Sequence, residues 1–376
     1  MRILWLGWRD PKHPLAGGSA VLAMEITKRW AAAGHEVVLL TAGFPGAKSQ
    51  ETLDRVRVVR VGGRYGFWFL QLCAPWFYGK LPRGRFDLVI DEIHALPFLA
   101  PLYVKEPVAL MVCEVGRENW RRTYPRPLAL VGARLEQLLL RCYRDLPVIA
   151  ISPSTKRDLV DRGLRPQHVE VVYCGINSRP SGELQAKAPD PVLVYVGRIN
   201  ADKRVHHLID ALAEVRRRVP NTRLWIVGKG EPAYSAFLEE EARRLGLESA
   251  VTFFGYVSEE RKVELMAQAW LVVSASVTEG WGLIVIEGNA VGTPAVVHNV
   301  PGYRDSVRDG ETGLLTKAHT PHALAESVVR VLQDGALYKR LRERAIEWSA
   351  QFDWQNTADG VLAAAVGPPS RHDCSH

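Results

Sequence analysis

The fold is decided by residues 271–287, which read LVVSASVTEGWGLIVIE. Leu271–Ser274 is a short apolar strand candidate, and the glycine-bearing turn Glu279–Gly282 follows it. An apolar helical pattern then begins at about Leu283. Strand, glycine-bearing loop and helix in this order form the unit from which parallel α/β sheets are built. The first backbone N–H groups of such a helix have no intrahelical partners and lie at the positive end of its dipole, so they suit a diphosphate.

The same unit recurs in both halves of the chain. In the first half, a strand candidate at residues 2–7 leads into a loop with Gly17 and Gly18 and then into a helical pattern. In the second half, the strand candidate Val192–Val196 leads into the loop Gly197–Lys203 and another helix. We therefore predict an α/β protein with two Rossmann-like, doubly wound domains that face a central cleft.

Length and composition also favour two domains. At 376 residues the chain exceeds what one hydrophobic core usually serves. Proline, glycine and serine gather after residue 178 with little apolar periodicity, as in a linker. We predict, in order, an acceptor-side N-terminal domain at 1–178, a linker at 179–191, a donor-side C-terminal domain at 192–352, a terminal helix at 353–366 that could return to the first domain, and a flexible tail at 367–376.

The chain has the sequence features of a protein of the cytoplasm. Its apolar N-terminal run, Met1–Leu6, meets Arg9 and Asp10 and is too short for a secretory signal. Five cysteines without a CxxC pair argue against a disulfide framework. No charge-free stretch reaches the roughly 18 residues that a membrane-spanning helix needs. We therefore expect a cytoplasmic protein, either soluble or peripheral on the inner face of the membrane.

The basic charge and its distribution indicate an anionic partner. A net charge of +7 fits anionic lipid, nucleic acid or a phosphorylated substrate, and the charge alone does not choose among them. Two stretches, Arg64–Lys80 and Arg117–Arg144, combine aromatic with basic residues, as a membrane-surface or lipid-acceptor site would. The alternative is an aromatic core under a basic rim. Of these partners we expect an anionic membrane surface and no nucleic acid.

Two carboxylates flank the predicted helix start at residue 283. Glu279 lies just before it, an unusual place for an anion if phosphate were the only ligand, and could accept hydrogen bonds from sugar hydroxyls. Glu287 lies about a turn and a half into the helix and could reach ribose hydroxyls. The alternative is that both are ordinary acids, favoured near a helix N-terminus by its dipole.

A second loop, Gly197–Lys203, carries two cations and reads GRINADK. It follows the carboxyl end of a strand, where ligands of α/β sheets bind. Arg198 offers a planar fork and Lys203 a compact charge, which together could neutralise a leaving diphosphate. The alternative is a solvated basic loop capped by Asp202. Because the chain contains no Asp-x-Asp pair, we predict no metal site. We expect these two cations, and not a metal ion, to neutralise the charge of the leaving diphosphate.

Taken together, these motifs resemble the retaining family 4 glycosyltransferases of the GT-B fold, also called glycosyl transferases group 1. That family pairs a Gly-Arg…Lys loop with a later Glu-x7-Glu motif, here Gly197–Lys203 and Glu279–Glu287. The resemblance covers nearly the whole chain, including Gly17-Gly18, Ser152-Pro153-Ser154 and Asp309–Leu315. It implies transfer of a hexosyl unit with retention, without a cofactor, from a UDP-, GDP- or ADP-sugar to a hydroxyl of a glycan or lipid-linked acceptor.

The resemblance also implies roles for individual residues. Arg198 and Lys203 contact the donor diphosphate. Glu279 binds the transferring sugar at the reaction centre, and Glu287 holds the ribose. The remaining donor-binding positions are glycines and their neighbours in the strand-to-helix loops: Gly17, Gly18, Gly197, Gly228, Gly280, Trp281, Gly282 and Leu283.

One position departs from the family pattern. Many members carry a histidine that lines the reaction centre, and here Cys113 takes its place after a predicted strand. We expect Cys113 to be a wall of the reaction centre and not a nucleophile, because the adjacent Glu114 would raise the thiol pKa. His94 follows a neighbouring strand and is a candidate catalytic residue, with a purely structural histidine as the alternative.

Other functions fit the same scaffold, because a fold does not determine a function. A nucleotide-sugar epimerase or phosphorylase is the nearest alternative, and a non-catalytic nucleotide-sugar-binding protein is another. A NAD-dependent dehydrogenase is disfavoured, because neither opening strand leads into a G-x-G-x-x-G helix with an acidic residue at the end of the next strand. The sequence does not identify the base, the sugar, the acceptor or the oligomeric state.

Overall fold

The computed structural model describes residues 1–62, 74–79, 86–93, 96–115, 125–177 and 184–367. Its contacts divide the chain into two compact units, one formed by Met1–Gly175 with Asp353–His376 and the other by Ile176–Phe352. The domain boundary that the sequence places at residue 178 falls close to this division. Residues 368–376, most of the expected tail, lie outside the described part of the chain.

The first unit is built on one largely parallel sheet. Its described strands are β1 Arg2–Leu6, β2 Glu36–Ala42, β3 Gln50–Leu53, β4 Val56–Val61, β5 Leu88–Ile93, β6 Val108–Val112, β7 Val148–Ala150 and β8 Val169–Val171. They lie in the order β3-β4-β2-β1-β5-β6-β7-β8. All neighbours pair in parallel except β3 and β4, which form an antiparallel edge. The strand order reverses at β1, because the chain runs first to β2 and later to β5 on the opposite side.

Three labelled helices accompany this sheet: α1 Gly18–Ala32, α2 Arg126–Leu140 and α3 Pro153–Asp161, and residues 74–79 are also helical. Helix α3 begins where the Ser152 side chain accepts the N–H of Thr155, with proline at the first helical position. Helix α1 begins without such a cap, since Gly17 stands at its N-cap and its first turn has no acidic residue. No side chain at the N-cap position therefore accepts a hydrogen bond from the N-terminal N–H groups of α1.

The second unit is built on a fully parallel sheet. Its strands are β9 Val192–Val196, β10 Arg223–Val227, β11 Val251–Gly255, β12 Leu271–Ser274, β13 Ala295–His298 and β14 Gly313–Thr316. They lie in the order β11-β10-β9-β12-β13-β14. The helices are α4 Val205–Arg218, α5 Pro232–Arg244, α6 Glu259–Gln268, α7 Leu283–Ala290, α8 Tyr303–Ser306, α9 Pro321–Gln333 and α10 Gly335–Ser349.

Both faces of the second sheet are buried, and β9 shows how. Leu193 and Tyr195 point into one apolar cluster, while Val192, Val194 and Val196 point into the other. A strand buried on both faces is almost continuously apolar, as parallel strands usually are. This pattern and the alternation of strands with helices confirm the predicted doubly wound α/β architecture.

The topology of the second unit brings the two predicted ligand loops together. Strand β9 lies between β10 and β12, so the chain order switches sides at this point in the sheet. Ligands of open α/β sheets bind at such a switch point, beyond the carboxyl ends of the strands. The loop Gly197–Lys203 follows β9, and the turn Glu279–Gly282 follows β12. Two segments that are distant in sequence therefore lie side by side beyond the carboxyl ends of two adjacent central strands.

The last described helix, α11 Trp354–Val366, packs in the first unit against α1. The indole N–H of Trp30 donates to the carbonyl of Ala358 at 2.9 Å, and the Thr357 hydroxyl donates to the carbonyl of Tyr173 at 2.8 Å. Helix α11 therefore completes the first unit with residues from the far end of the chain. Among the helices of the described residues, none is long and apolar enough to cross a bilayer.

Candidate active site

The loop after β9 is held by close backbone packing. A Cβ on Gly228 would lie 1.8 Å from the carbonyl oxygen of Gly197, so only glycine fits where these two loops approach. The Gly197 N–H donates to Val227 and the Gly228 N–H to Gly255. Both glycines, predicted as donor-binding positions, therefore also have a structural reason for their identity.

Arg198 and Lys203 are presented from this loop in different ways. The Tyr195 hydroxyl donates to the carbonyl of Arg198 at 2.7 Å, which holds the backbone while the Arg198 side chain faces solvent. Lys203 ends a short turn capped by the Asn200 side chain, which accepts the Lys203 N–H at 3.2 Å. The loop thus positions one exposed guanidinium and one partly buried ammonium beside the carboxyl end of β9.

Lys203 forms an ion pair with Glu279. Its Nζ lies 2.5 Å from Oε1 of Glu279, and the two side chains are 20% and 19% exposed. The sequence predicts separate contacts for these residues, with the diphosphate and with the sugar. The structure instead joins them directly within the second unit.

Glu279 is also held by a neighbouring loop. Its N–H donates to the carbonyl of Pro301, and the Tyr303 hydroxyl donates to its Oε1 at 3.3 Å. A Cβ on Gly302, whose φ is +82°, would lie 2.3 Å from the Glu279 carbonyl oxygen. Gly302 therefore allows the backbone of Glu279 to come close to the loop after β13.

Tyr303 is a contact of the site that sequence reasoning missed. Burial, and then the nearby carboxylate of Glu279, raise the pKa of Tyr303, so its hydroxyl is a hydrogen-bond donor at neutral pH. The residue lies 24 positions from the carboxylate it contacts. No local spacing links the two, because the contact depends on the adjacency of β12 and β13.

Glu287 lies on α7 and is paired with a lysine from α6. The Lys262 Nζ lies 2.9 Å from Oε1 of Glu287 and also contacts Glu259. Burial raises the pKa of Glu287, and Lys262 acts in the opposite direction. Burial opposes the charge of Lys262, but Glu287 and Glu259 outweigh it and raise the Lys262 pKa. Sequence reasoning missed Lys262, which lies 25 residues from Glu287.

The N-terminus of α7 has the open form that an anion site needs. Gly282 is its N-cap, no side chain caps the helix, and its first turn has no acidic residue. The predicted neighbour Trp281 is only 2% exposed and lies edge-on to Phe352, with ring centroids 5.3 Å apart. Trp281 can therefore serve a ligand through its backbone only, since its ring belongs to the core of the second unit.

In the first unit, the carboxyl ends of β5 and β6 bring a buried acid near Cys113. Glu92 is 2% exposed, and its Oε2 accepts the indole N–H of Trp5 at 2.7 Å. Burial raises the pKa of Glu92 to about 8. Burial and then Glu92 also raise the pKa of the Cys113 thiol, which disfavours the nucleophilic thiolate. The candidate His94 lies outside the described residues.

Within the described part of the chain, no group of three or more His, Cys, Asp and Glu side chains is arranged to hold a metal ion. The adjacent His206 and His207 do not form such a group: His206 bonds the Tyr234 hydroxyl at 2.8 Å, and burial lowers the pKa of His207 to about 4.

Comparison with known families agrees with this geometry. The model described as Glycosyltransferase Family 4 matches residues 16–179, and the model described as Glycosyl transferases group 1 matches residues 180–348. The two matches follow one another and together span both halves in which the strand-loop-helix motif occurs. The chain therefore belongs to the family 4, group 1 glycosyltransferases.

Two curated relatives illustrate the range of the family. D-inositol 3-phosphate glycosyltransferase of Nocardia farcinica (strain IFM 10152) is 34% identical over 230 residues, which cover 57% of this chain and 51% of that protein. The chain thus matches about half the length of this relative. Glycogen synthase of Mycobacterium tuberculosis (strain CDC 1551 / Oshkosh) is 28% identical across 98% of this chain and 96% of its own.

Solved structures identify the fold as GT-B. Sucrose-phosphate synthase from Thermosynechococcus elongatus matches with a TM-score of 0.79 and 22% identity, covering 96% of this chain and 97% of its own. Anabaena HepE in complex with UDP-glucose matches with a TM-score of 0.73 and 19% identity, covering 96% and 98%. At these identities the likeness is one of fold.

Proposed function

We propose that this glycosyltransferase is a metal-independent, retaining enzyme that transfers a hexosyl unit from a nucleoside-diphosphate sugar to an acceptor hydroxyl. The observation that carries the proposal is the Lys203–Glu279 ion pair beyond the carboxyl ends of β9 and β12. A cation for a leaving diphosphate and a carboxylate for sugar hydroxyls meet there at the switch point of the sheet.

The donor diphosphate is assigned to the space between the start of α7 and the loop after β9. The free N–H groups at Gly282 and beyond, Arg198 and Lys203 then supply positive charge where the leaving group gains negative charge. The absence of an acidic residue in the first turn of α7 favours this assignment. Fixed donors of this kind can stabilise a transition state by several kcal/mol.

Lys203 has to change partner for this mechanism to operate. In the structure its ammonium is held by Glu279. A phosphate oxygen competes for the same ammonium, and its arrival releases one lone pair of the Glu279 carboxylate. Glu279 keeps the hydrogen bond from Tyr303 and becomes able to accept hydrogen bonds from the transferring sugar.

Glu287 is assigned to the ribose. Its second carboxylate oxygen can accept ribose hydroxyls while Lys262 holds Oε1 at 2.9 Å. The buried lysine keeps Glu287 charged although burial alone favours the neutral form. Lys262 therefore orients the Glu287 carboxylate, a hydrogen-bond acceptor on the first turns of α7.

Retention follows from the order of bond changes that we propose. The bond from the anomeric carbon to the diphosphate oxygen breaks, and a bond to the acceptor oxygen forms on the same face of the sugar. The acceptor proton passes to the leaving phosphate. The raised pKa of Cys113 supports a route without a thiol nucleophile. The family resemblance supports retention itself.

The donor is a UDP-, GDP- or ADP-sugar, and the likeness to HepE with UDP-glucose supports this class. The acceptor is a lipid-linked or cell-envelope glycan, presented to the enzyme at the cytoplasmic face of the membrane. The support for this acceptor is the accumulation of aromatic and basic residues at Arg64–Lys80 and Arg117–Arg144, much of which lies outside the described residues.

A donor panel tests the proposal. Thermal unfolding is followed with UDP-, GDP- and ADP-sugars, since a ligand at 100 times its dissociation constant stabilises a protein by about 2.7 kcal/mol. The donor that stabilises is then used in a transfer assay with excess EDTA, and the anomeric configuration of the product is read by NMR. Activity abolished by EDTA and restored by Mg²⁺ or Mn²⁺ would contradict the metal-free mechanism, and an inverted product would contradict retention.

The same assay separates the alternative functions. An epimerase changes the donor sugar without an acceptor, and a phosphorylase needs phosphate in its place. A non-catalytic binding protein is stabilised by the donor but neither transfers nor hydrolyses it. The proposal requires product formation that depends on both donor and acceptor.

A further inference from the structure

Helix α2 exposes a row of large aliphatic side chains, spaced three or four residues apart so that they share one side of the helix: Leu128 at 58%, Val131 at 63%, Leu135 at 42% and Leu138 at 56%. The opposite side is buried in the first unit and comprises Ala129, Gly132, Glu136 and Leu140. Monomeric proteins rarely leave a contiguous apolar surface of this kind open to water unless it meets a partner.

Basic residues predominate along this helix and directly after it, where the exposed Asp145 is paired with Arg165 at 2.8 Å. The exposed basic residues are Arg126 and Arg134 within α2 and Arg141 and Arg144 directly after it. The single carboxylate within Arg126–Leu140 is Glu136, which is fully buried. The helix therefore presents an aliphatic row and guanidinium groups to solvent, with no exposed carboxylate of its own.

We propose that α2 is a docking surface for an anionic lipid bilayer. The helix lies in the plane of the interface, with its aliphatic row among the upper acyl chains and its arginines against lipid phosphates. Guanidinium groups bind phosphate oxygens in bidentate fashion. Transfer of the aliphatic side chains from water into the acyl region is favourable because of the hydrophobic effect. The pattern of apolar residues with flanking arginines is that of helices that bind membrane surfaces.

The composition of the row favours a bilayer over a protein partner. The centres of protein interfaces are enriched in aromatic residues and methionine, whereas this row contains only leucine and valine. The predominantly positive charge complements the anionic cytoplasmic leaflet, and each arginine near an anionic surface strengthens binding about fivefold. The attachment is therefore reversible and is weakened by salt.

The inference stands apart from the donor chemistry, because no residue of α2 belongs to the candidate active site. It deepens the acceptor side of the proposed function, since a membrane-bound enzyme meets lipid-linked acceptors directly. Nucleotide binding and vesicle binding are separate measurements, so the failure of either proposal can be recognised by itself.

Co-sedimentation of the full chain with vesicles tests the docking surface. Vesicles of phosphatidylcholine alone are compared with vesicles that also contain phosphatidylglycerol, each at low and high salt. The variants are Arg134→Glu and the double variant Leu135→Glu with Leu138→Glu. The matched control is Leu102→Glu, an exposed leucine of the same unit that lies outside α2 and is 68% exposed. Thermal unfolding and nucleotide binding are measured on every sample.

The wild type is expected to bind the anionic vesicles at low salt and to leave them at high salt. Arg134→Glu reverses one charge and should weaken binding about tenfold or more, and the double variant should lose it. Leu102→Glu should bind like the wild type. Equal binding by the wild type and the double variant would overturn the proposal. Lipid-free dimerisation of the wild type that the double variant abolishes would also overturn it, because a second copy would then cover the row.

Discussion

Lys203 and Glu279 lie 76 residues apart in the sequence and meet in an ion pair with Nζ 2.5 Å from Oε1. Each side chain is only about one fifth exposed, so the pair is largely shielded from solvent. Loss of one partner would leave the other charge largely buried and unpaired, which is unfavourable unless a new partner replaces it. A phosphate that takes Lys203 supplies such a partner, and the Tyr303 hydroxyl still donates to the Glu279 carboxylate.

Replacement of Lys203 by alanine should lower the rate of transfer about 100-fold, the typical cost of losing a charge contact made in the transition state. It should also lower the stability, because the largely buried Glu279 carboxylate loses its cation. Arg198→Ala should lower the rate in the same way and leave the stability unchanged, because Arg198 is exposed. Lys317→Ala, an exposed lysine after β14, is the control and should leave both quantities unchanged. Turnover near the wild-type value would remove the varied residue from the mechanism.

Glu279→Gln separates the role of Glu279 toward the sugar from its role toward Lys203. Glutamine keeps an oxygen for the Tyr303 hydroxyl but gives up the charge that holds the lysine. We expect transfer to fall and the free nucleoside diphosphate to bind as tightly as in the wild type or tighter, because Lys203 is released. Isothermal titration calorimetry with the nucleotide measures this. Weaker binding of the nucleotide by Glu279→Gln would show that the two do not compete for Lys203.

Gly302→Ala tests whether the backbone of Glu279 has to lie where it does. Gly302 and Gly310 have φ of +82° and +78°, but only at Gly302 would a Cβ meet another atom, the Glu279 carbonyl oxygen at 2.3 Å. In both alanine variants the positive φ should lower the free energy of unfolding by about 1 kcal/mol or more. Only Gly302→Ala should also displace Glu279 and reduce transfer. Equal loss of activity in the two variants would assign the effect to backbone strain alone.

The buried Glu92 should make stability depend on pH in the first unit. Burial raises its pKa to about 8 in the folded state, above the ordinary value of 4.5, so the folded chain binds the extra proton. Stability from this group is therefore complete below about pH 4.5 and is lost as the pH rises toward 8. The slope is at most about 1.4 kcal/mol per pH unit.

Glu92→Gln removes this titration and keeps an oxygen for the Trp5 indole N–H. Denaturant unfolding at pH 5 and pH 8 should show a larger loss for the wild type than for the variant. The difference between the two proteins isolates Glu92, because all other groups titrate in both. The same pH dependence in wild type and variant would mean that Glu92 is already ionised in the folded chain.

Cys113→Ser should retain activity. Burial and then Glu92 raise the pKa of the Cys113 thiol, so the thiolate that covalent catalysis needs is disfavoured at neutral pH. Serine is close to cysteine in size, so its side chain fills the same position without a thiol. Mass spectrometry of the wild type during turnover should find no glycosyl group on the cysteine. A trapped glycosyl thioether, or inactivity of a folded Cys113→Ser variant, would refute this prediction.

The architecture could be predicted because local patterns determine it. Each strand-loop-helix unit is contained within about 30 residues, and its apolar periodicity and glycines are visible in the sequence. The loops Gly197–Lys203 and Glu279–Gly282 accordingly follow β9 and β12 in the structure. Parallel sheets follow from the alternation of such units.

The partners of the site residues could not be predicted, because they depend on strand order. Strand β12 pairs with β9 although β10 and β11 come between them in the sequence, and this adjacency allows Lys203 to reach Glu279. Tyr303 and Gly302 arrive in the same way from the loop after β13. The exposed row of α2 is a related case, since an apolar helical period does not reveal which side a neighbour covers.

The return of α11 to the first unit has a consequence for biosynthesis. The ribosome synthesises all of Ile176–Phe352 before the residues of α11. The first unit is therefore incomplete until α11 has been synthesised. Until then the indole N–H of Trp30 has no carbonyl of Ala358 to bind. Although domains usually fold in the order of synthesis, the second unit of this chain can therefore reach its native packing before the first.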